Sequence, residues 1–209
     1  MLKANFITAQ EAAEKIQDGS TLCTIGMTLV SASESILKAI EKRFETVGHP
    51  ADITLVHSCG QSDRKDGIQH LAHEGLVKRI IGSHWGLQPR WMEMIANSQV
   101  EAYCLPQGQI AQLYRSMACG LPGKMSKVGL GTFIDPRVEG GKMNDRTKPL
   151  PDIVDILEYS GEEYMFYKEI PLDTVLIRGT VCDEMGNLTT TEEAMKLEVL
   201  PAVLAAKRY

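Results

Sequence analysis

The sequence predicts an α/β protein with an open, mainly parallel β-sheet and helices on both faces, a Rossmann-like arrangement. Two observations predict this fold. Short apolar segments alternate with segments of helical periodicity over residues 8–120, and each apolar segment is followed by a loop of polar residues and glycine. Strands that alternate with helices pair in parallel through right-handed crossovers, so the helices cover both faces of the sheet.

The chain begins with a capped helix followed by a strand–loop–helix unit. Thr8 and Glu11 stand at the spacing of a capping box, which predicts a helix that ends near Gly19. Residues 21–25 predict a short buried strand, and Ser33 is the predicted N-cap of the next helix.

The same alternation continues to residue 120. Further strands are predicted over 53–56, 79–82 and 100–105, and helical segments over 70–76 and 88–97. Pro106 opens another helix, which Gly120 ends.

The remaining residues are predicted to add strands to the same sheet. Apolar segments at 153–157, 164–170 and 174–177 follow a charged excursion at 145–151. A helix is predicted over 192–208 with no stop signal after it. We therefore expect residues 1–209 to form one N-terminal domain, cut near its C-terminal end, of a larger architecture.

Composition excludes several classes of protein. The chain has 209 residues, 44% of them hydrophobic, and a formal charge of -5, so it lacks the basic field that nucleic acid requires. No apolar segment approaches the ~20 residues of a membrane helix, and the first 19 residues do not resemble a signal peptide. The five cysteines are widely spaced, which favours reduced core residues. We expect a cytoplasmic protein without nucleic-acid or membrane partners.

Several familiar catalytic motifs are absent from the sequence. There is no HExxH among the five histidines, which are His49, His57, His70, His73 and His84. We therefore interpret these histidines as structural or solvated and expect no metal. The sequence also lacks G-x-S-x-G, and its GLG at 129–131 lacks the third glycine and the following helix of a dinucleotide fingerprint.

A ligand site is predicted at the carboxyl edge of the sheet. Ligands of open α/β sheets bind beyond the carboxyl ends of the strands, where three predicted exit loops face one cleft. The loop residues predicted to contact substrate are Gly26, Met27, Gly60, Gln61 and Gly108. A fourth segment, 128–144, is rich in glycine and is predicted to be a site loop that its apolar residues anchor to the core.

Gln107 is the candidate catalytic residue. It lies where a buried strand gives way to a helix, so its amide is expected to face the cleft beside helix N-terminal N–H groups. One neutral donor can stabilise a developing oxyanion by about 3 kcal/mol. A glutamine that only caps the helix is an equally good interpretation of the residues alone.

Seven segments together resemble the N-terminal half of a family I CoA-transferase of the acetate or propionate type. They are 18–21 (DGST), 26–27 (GM), 105–108 (LPQG), 128–133 (VGLGTF), 135–136 (DP), 139–142 (EGGK) and 178–187 (RGTVCDEMGN). The resemblance covers nearly the whole chain, with the segments in the family's order.

The resemblance implies transfer of CoA between a short-chain acyl-CoA and a free carboxylate. In that family a glutamate of the second half attacks the thioester, and a glutamyl-CoA thioester follows, so no cofactor besides CoA as substrate is implied. It further implies that Gln107 donates to the oxyanion, that Gly131 and Phe133 lie in the binding segment, and that the chain joins a C-terminal half in a homo-oligomer.

Two departures from the family pattern keep an alternative open. The family's Gly-Gly-Phe loop is Ile25-Gly26-Met27 here, and no nucleophile is assigned, because Glu139 falls in the binding segment beside Lys142. The alternative is a non-catalytic acyl-CoA-binding or interaction module of the same fold. A sugar-phosphate isomerase would need acid/base carboxylates and a phosphate loop, and the sequence offers neither.

Overall fold

The structure is a computed structural model that describes residues 3–206. Its strands are β1 (Thr21–Thr24), β2 (Ile53–His57), β3 (Val77–Gly82), β4 (Glu101–Cys104), β5 (Gly123–Ser126), β6 (Val154–Tyr159), β7 (Glu162–Lys168), β8 (Thr174–Leu176), β9 (Val181–Cys182) and β10 (Leu188–Thr189). Its helices are α1 (Ala9–Glu14), α2 (Glu34–Val47), α3 (Pro89–Ala96), α4 (Gln107–Ala118) and α5 (Val199–Ala205), with one 3₁₀ helix at Gly67–Leu71.

A five-stranded parallel sheet of order β4-β3-β2-β1-β8 forms the centre of the fold. Because successive side chains of a strand point to opposite faces of the sheet, the central strands contribute side chains to two cores. One core contains Leu22, Leu55, Ile80 and Ala102 and is covered by α1, α2 and α3. The other contains Cys23, Val56, Ile81 and Tyr103 and is covered by α4 and the residues after it. The predicted open α/β sheet with helices on both faces is therefore confirmed.

The segment after α4 departs from the prediction. Strands β5, β7 and β6 form a separate antiparallel sheet, so 153–157 and 164–170 do not extend the parallel sheet, and β5 was not predicted. The turn between β6 and β7 explains this, since Ser160 and Gly161 both have positive φ, at 55° and 78°. Such a two-residue turn joins antiparallel strands. Only β8, of the three predicted additions, joins the parallel sheet, beside β1.

The residues that predicted the beginnings and ends of helices were correct for some helices and wrong for others. The capping box of α1 is confirmed, because the Glu11 N–H donates to Thr8 Oγ1 and the Thr8 N–H donates to Glu11 Oε2. Ser33 precedes α2 as predicted, but its hydroxyl makes no cap hydrogen bond. The predicted helix at 70–76 is wrong, because the 3₁₀ helix ends at Leu71 and residues 74–76 form a turn.

The last predicted helix is much shorter than its pattern. Helix α5 spans Val199–Ala205, and residues 192–198 form turns and bends. Pro201 lies in the first turn of α5, where its missing N–H has no intrahelical partner to lose. Arg208, the predicted end of the helix, lies outside the described residues.

The cysteine prediction holds only in part. Cys23 is buried, Cys59 and Cys104 are half-buried, and Cys119 and Cys182 are exposed rather than in the core. Within residues 3–206, no helix is both long enough and apolar enough to cross a bilayer.

Candidate active site

A hollow of about 500 Å³ opens at the carboxyl edge of the parallel sheet. It is formed by residues that follow β2, β3 and β4 together with the glycine-rich segment 128–144. The residues that line it are Cys59, Ser83, His84, Cys104, Leu105, Pro106, Gln107, Phe133 and Ile134. Its size is in the range of about 300–1,000 Å³ that is usual for small-molecule sites.

Gln107 is the first residue of α4 and is exposed on the wall of this hollow. The helix is held firmly, because Ile110, Leu113 and Tyr114 are buried in the second core. Burial of each of the two aliphatic side chains contributes about 1.5–3 kcal/mol. The backbone N–H groups of Gln107 and Gly108 have no partner within the described residues. A donor amide and the positive end of a helix therefore lie together at the hollow.

The glycine-rich segment is held in place by Asp135, whose side chain is 1% exposed. Its carboxylate accepts from the Gly131 N–H at 2.9 Å, the Arg137 N–H at 3.0 Å and Arg137 Nη2 at 2.8 Å. The hydrogen bonds from Arg137 hold the pKa of Asp135 well below its usual range, although burial acts in the opposite direction. A buried carboxylate thus organises the loop from within.

Gly141 fastens the same segment to the end of β4. The Cys104 N–H donates to the Gly141 carbonyl at 2.7 Å, and the Gly141 N–H donates to the Phe133 carbonyl at 2.9 Å. These bonds place Phe133 on the wall of the hollow, where its side chain is 41% exposed. Of the apolar residues predicted to anchor the segment, Ile134 is buried, whereas Val128 and Val138 are exposed.

The predicted substrate-contacting residues divide into two groups. Gln107 and Phe133 line the hollow, and the others do not contribute to its wall. Gln61 has no exposed surface, and its amide nitrogen donates to the Thr24 carbonyl at 2.8 Å. Gly26 packs against it, since a Cβ on Gly26 would lie 3.2 Å from Gln61 Oε1. Gly60 is also buried, Met27 is half-buried, and Gly108 and Gly131 are exposed.

Four wall residues were missed in the sequence. Cys59, Ser83, His84 and Cys104 all line the hollow. Each lies at the last residue of a strand or within two residues beyond it. Their signal in the sequence is this position, because ligands of open α/β sheets bind at the carboxyl edge, where every residue at a strand end is a candidate.

Three of the other histidines make internal contacts. His57 is fully buried, accepts from Trp85 Nε1 at 3.1 Å and contacts the Cys59 carbonyl at 2.8 Å. Burial lowers the pKa of His57 to about 4, so the ring is neutral. His70 and His73 both contact Glu41.

Two groups of possible metal ligands occur in the described part of the chain, away from the hollow. They are Glu34, Asp66 and His70, and Glu41, Glu45 and His73. Cations of the chain already pair with these carboxylates: Lys38 Nζ lies 3.0 Å from Glu34 and 3.2 Å from Asp66, and Arg90 Nη1 lies 3.3 Å from Glu41. These ion pairs favour a structural role.

An open parallel sheet with a hollow at its carboxyl edge is the arrangement in which α/β proteins bind small ligands. Comparison with known proteins identifies the family. A family model described as coenzyme A transferase matches residues 6–208, and the chain therefore belongs to that family. The resemblance found in the sequence is thereby confirmed.

Known relatives match this chain over nearly all of its length. Caffeate CoA-transferase of Acetobacterium woodii is 42% identical over 205 residues, which are 98% of this chain and 39% of that protein. The acyl-CoA transferase YdiF of Escherichia coli O157:H7 has been solved as an apoenzyme and as a thioester complex with CoA. The apoenzyme has a TM-score of 0.93 at 35% identity and covers 97% of this chain and 39% of its own.

A third relative is organised differently. Acetate CoA-transferase subunit alpha of Escherichia coli K12 is 26% identical over 204 residues, which are 98% of this chain and 83% of that subunit. This chain thus spans less than half of the long relatives and matches most of a separate alpha subunit.

Proposed function

We propose that this chain forms one part of an acyl-CoA:carboxylate CoA-transferase and supplies the oxyanion donor and part of the acyl pocket. The observation that carries the proposal is the position of Gln107, an exposed amide at the N-terminus of α4 on the wall of the hollow. The substrates are an acyl-CoA and a free short-chain carboxylate. The names of the relatives, which include acetate and caffeate CoA-transferases, support this class of reaction.

The reaction exchanges one activated acyl group for another. A glutamate carboxylate attacks the thioester carbonyl, and CoA leaves as a thiolate, which forms an acyl-glutamyl anhydride. The thiolate then attacks the glutamyl carbonyl and releases the first acid, which leaves a glutamyl-CoA thioester. The carboxylate of the second acid attacks this thioester and expels the CoA thiolate, which forms a second anhydride. The thiolate finally attacks the acyl carbonyl of that anhydride, which releases the new acyl-CoA and regenerates the glutamate. Each step conserves the energy of the activated acyl group, so we propose that no cofactor takes part. The thioester complex of YdiF with CoA supports such an intermediate.

Gln107 acts on the oxygen of the reacting carbonyl. That oxygen becomes negative as the tetrahedral species forms, and a preorganised amide donor stabilises it more than it stabilises the ground state. The unpartnered N–H groups at the start of α4 add a positive partial charge at the same place.

The nucleophile is proposed to come from a second polypeptide segment. Glu139 lies within the glycine-rich segment, but it lines a different hollow, together with Lys142 and Asp152. Lys142 Nζ pairs there with Asp152 at 2.9 Å. The greater length of the relatives and the separate alpha subunit both support a site completed by a C-terminal half. Assembly of the completed protein into a homo-oligomer remains a prediction of the sequence.

Reassembly tests the proposal directly. Acetyl-CoA and propionate are incubated with this chain alone, with the second half alone and with both, and propionyl-CoA is measured. We expect product only from the mixture. Absence of product with both halves folded, while the chain still binds acetyl-CoA by calorimetry, would support the alternative of a non-catalytic acyl-CoA-binding module.

Gln107→Ala tests the assigned donor. In the reassembled protein we expect kcat to fall about 10²- to 10³-fold with a much smaller change in KM, because the donor acts mainly in the transition state. Gln112→Ala is the matched control, since Gln112 is an exposed glutamine of the same helix that does not line the hollow. An unchanged kcat in Gln107→Ala would reject the role.

A further inference from the structure

His84 differs from His57, the buried histidine described above, and from His70 and His73, which pair with Glu41. It is exposed and lines the hollow that contains Gln107. Within the described residues its ring nitrogens make no hydrogen bond, although the ring always carries at least one N–H donor. Its donor is therefore available to a ligand in the hollow.

The ring is held between two glycines. A Cβ on Gly60 would lie 2.7 Å from His84 Nδ1, and a Cβ on Gly86 would lie 2.9 Å from His84 Nε2. Real Cβ atoms do not approach other atoms so closely, so the position of this ring depends on glycine on both sides. Gly60, predicted to contact substrate, thus acts as a packing surface for the imidazole.

The backbone around His84 is also fixed. The hydroxyl of Ser83 donates to the Ser58 carbonyl, and Trp85 Nε1 donates to His57 Nε2 at 3.1 Å. The side-chain amide of Gln88 donates to the His84 carbonyl at 2.9 Å in the orientation that satisfies both of its ends. A ring restrained in this way loses little further freedom when it binds a ligand.

The other polar side chains on the wall leave few donors for an anion, beside the unpartnered backbone N–H groups of Gln107 and Gly108. The Ser83 hydroxyl already donates to a carbonyl, and the Cys104 thiol is directed at the Ser83 carbonyl at 3.7 Å. Leu105, Pro106, Phe133 and Ile134 contribute apolar surface. A carboxylate that enters such a hollow loses water and must be compensated by hydrogen bonds. Gln107 and His84 are the side chains best placed to supply them.

We propose that His84 is a substrate-binding residue that donates a hydrogen bond to the carboxylate of the free acid. This inference rests on the proposed CoA transfer and adds the residue that holds the second substrate. Gln107 then stabilises the oxygen of the reacting carbonyl, and His84 orients the carboxylate before it attacks the glutamyl-CoA thioester. The N–H of either neutral tautomer or of the imidazolium can perform this role.

The test separates binding of the acid from the chemical step. The KM for each substrate is measured for the His84→Leu and His84→Gln variants of the reassembled protein. The concentration of the acid is varied at saturating acyl-CoA, and the concentration of acyl-CoA is then varied at saturating acid. We expect His84→Leu to raise KM for the acid about 10- to 100-fold, the size expected on loss of a hydrogen bond to a charged group, with little change in KM for acyl-CoA. His84→Gln retains an N–H donor and should recover part of the loss.

His49→Leu is the matched control, because His49 is exposed beside Asp18 and away from the hollow. If the wild-type protein transfers CoA and His84→Leu leaves KM for the acid unchanged, the inference about His84 is overturned. The proposed function is not affected by that result.

A second readout does not require turnover. Propionate is titrated into the wild-type chain while the imidazole ¹H–¹³C resonances are recorded, with the His84 signal assigned from His84→Gln. A saturable shift of that signal, and not of the His49 signal, is expected. Absence of CoA transfer in the wild-type protein would defeat the proposed function alone, whereas a static His84 signal at saturating acid would defeat the role of His84.

Discussion

Gly141→Ala should weaken the attachment of the glycine-rich segment to β4. Gly141 has a φ of +71°, and a Cβ there would lie 2.6 Å from the Cys104 carbonyl oxygen. The left-handed conformation costs an L-residue about 1–2 kcal/mol. Relief of the clash moves the loop away from β4 and disrupts the hydrogen bond from the Cys104 N–H to the Gly141 carbonyl, which is worth about 1 kcal/mol more. We therefore expect a loss of about 2–3 kcal/mol in the free energy of unfolding.

Gly131→Ala separates the two contributions. Gly131 has nearly the same φ, +70°, but a Cβ there would meet no atom within 4 Å. Its substitution should cost only the conformational part, about 1–2 kcal/mol. Urea unfolding followed by circular dichroism gives both values, and iodoacetamide labelling resolved by mass spectrometry reports exposure of the Cys104 thiol. Equal losses of stability in the two variants, with unchanged labelling of Cys104, would refute the reasoning.

Two further predictions concern the charged groups of His70, which is half-buried, and Asp135, which is buried. Burial alone would lower the pKa of His70, but its hydrogen bonds to Glu41 and Glu34 outweigh burial and raise it. A raised pKa contributes stability that is complete below the unfolded value of about 6.5 and is lost as pH rises through the folded value. Urea unfolding should therefore show that the free energy of unfolding falls less between pH 6 and pH 9 in His70→Gln than in the wild type. The same pH dependence in both proteins would contradict this prediction. Asp135→Asn removes the charge that Arg137 and Gly131 contact, and should cost about 1–3 kcal/mol near neutral pH. Because the pKa of Asp135 is lowered in the fold, the difference between variant and wild type should shrink as pH falls below about 4, and a difference independent of pH would count against the assigned role.

Much of the fold could be predicted from local patterns. The alternation of apolar and helical segments up to residue 120 predicted the first four strands of the parallel sheet, because burial on both faces requires near-continuous apolar residues. The capping box at Thr8 also has a local cause and lies where it was predicted. The predicted start of α4 directly after β4 placed Gln107 at the carboxyl edge, because that boundary is also a local pattern of the sequence.

The predicted fold is wrong where the same apolar pattern is compatible with more than one structure. The segments 153–157 and 164–170 have the composition of strands, but composition does not specify the sheet that a strand joins. The turn at Ser160 and Gly161 specified an antiparallel hairpin, and its signal was overlooked. The predicted helix at 192–208 shows the same limit, since apolar spacing alone did not identify the turns before α5.

The sequence alone determined the fold class, the family and the edge of the sheet where ligand binding is expected, because periodicity, turn residues and ordered motifs are properties of neighbouring residues. Only the tertiary structure decided which side chains share the hollow. Cys59, His84 and Phe133 meet there from three separate loops, whereas Gln61, from the same loop as Cys59, is buried below the surface. These placements depend on strand register and on close packing between glycines and rings, which are contacts between residues far apart in the chain.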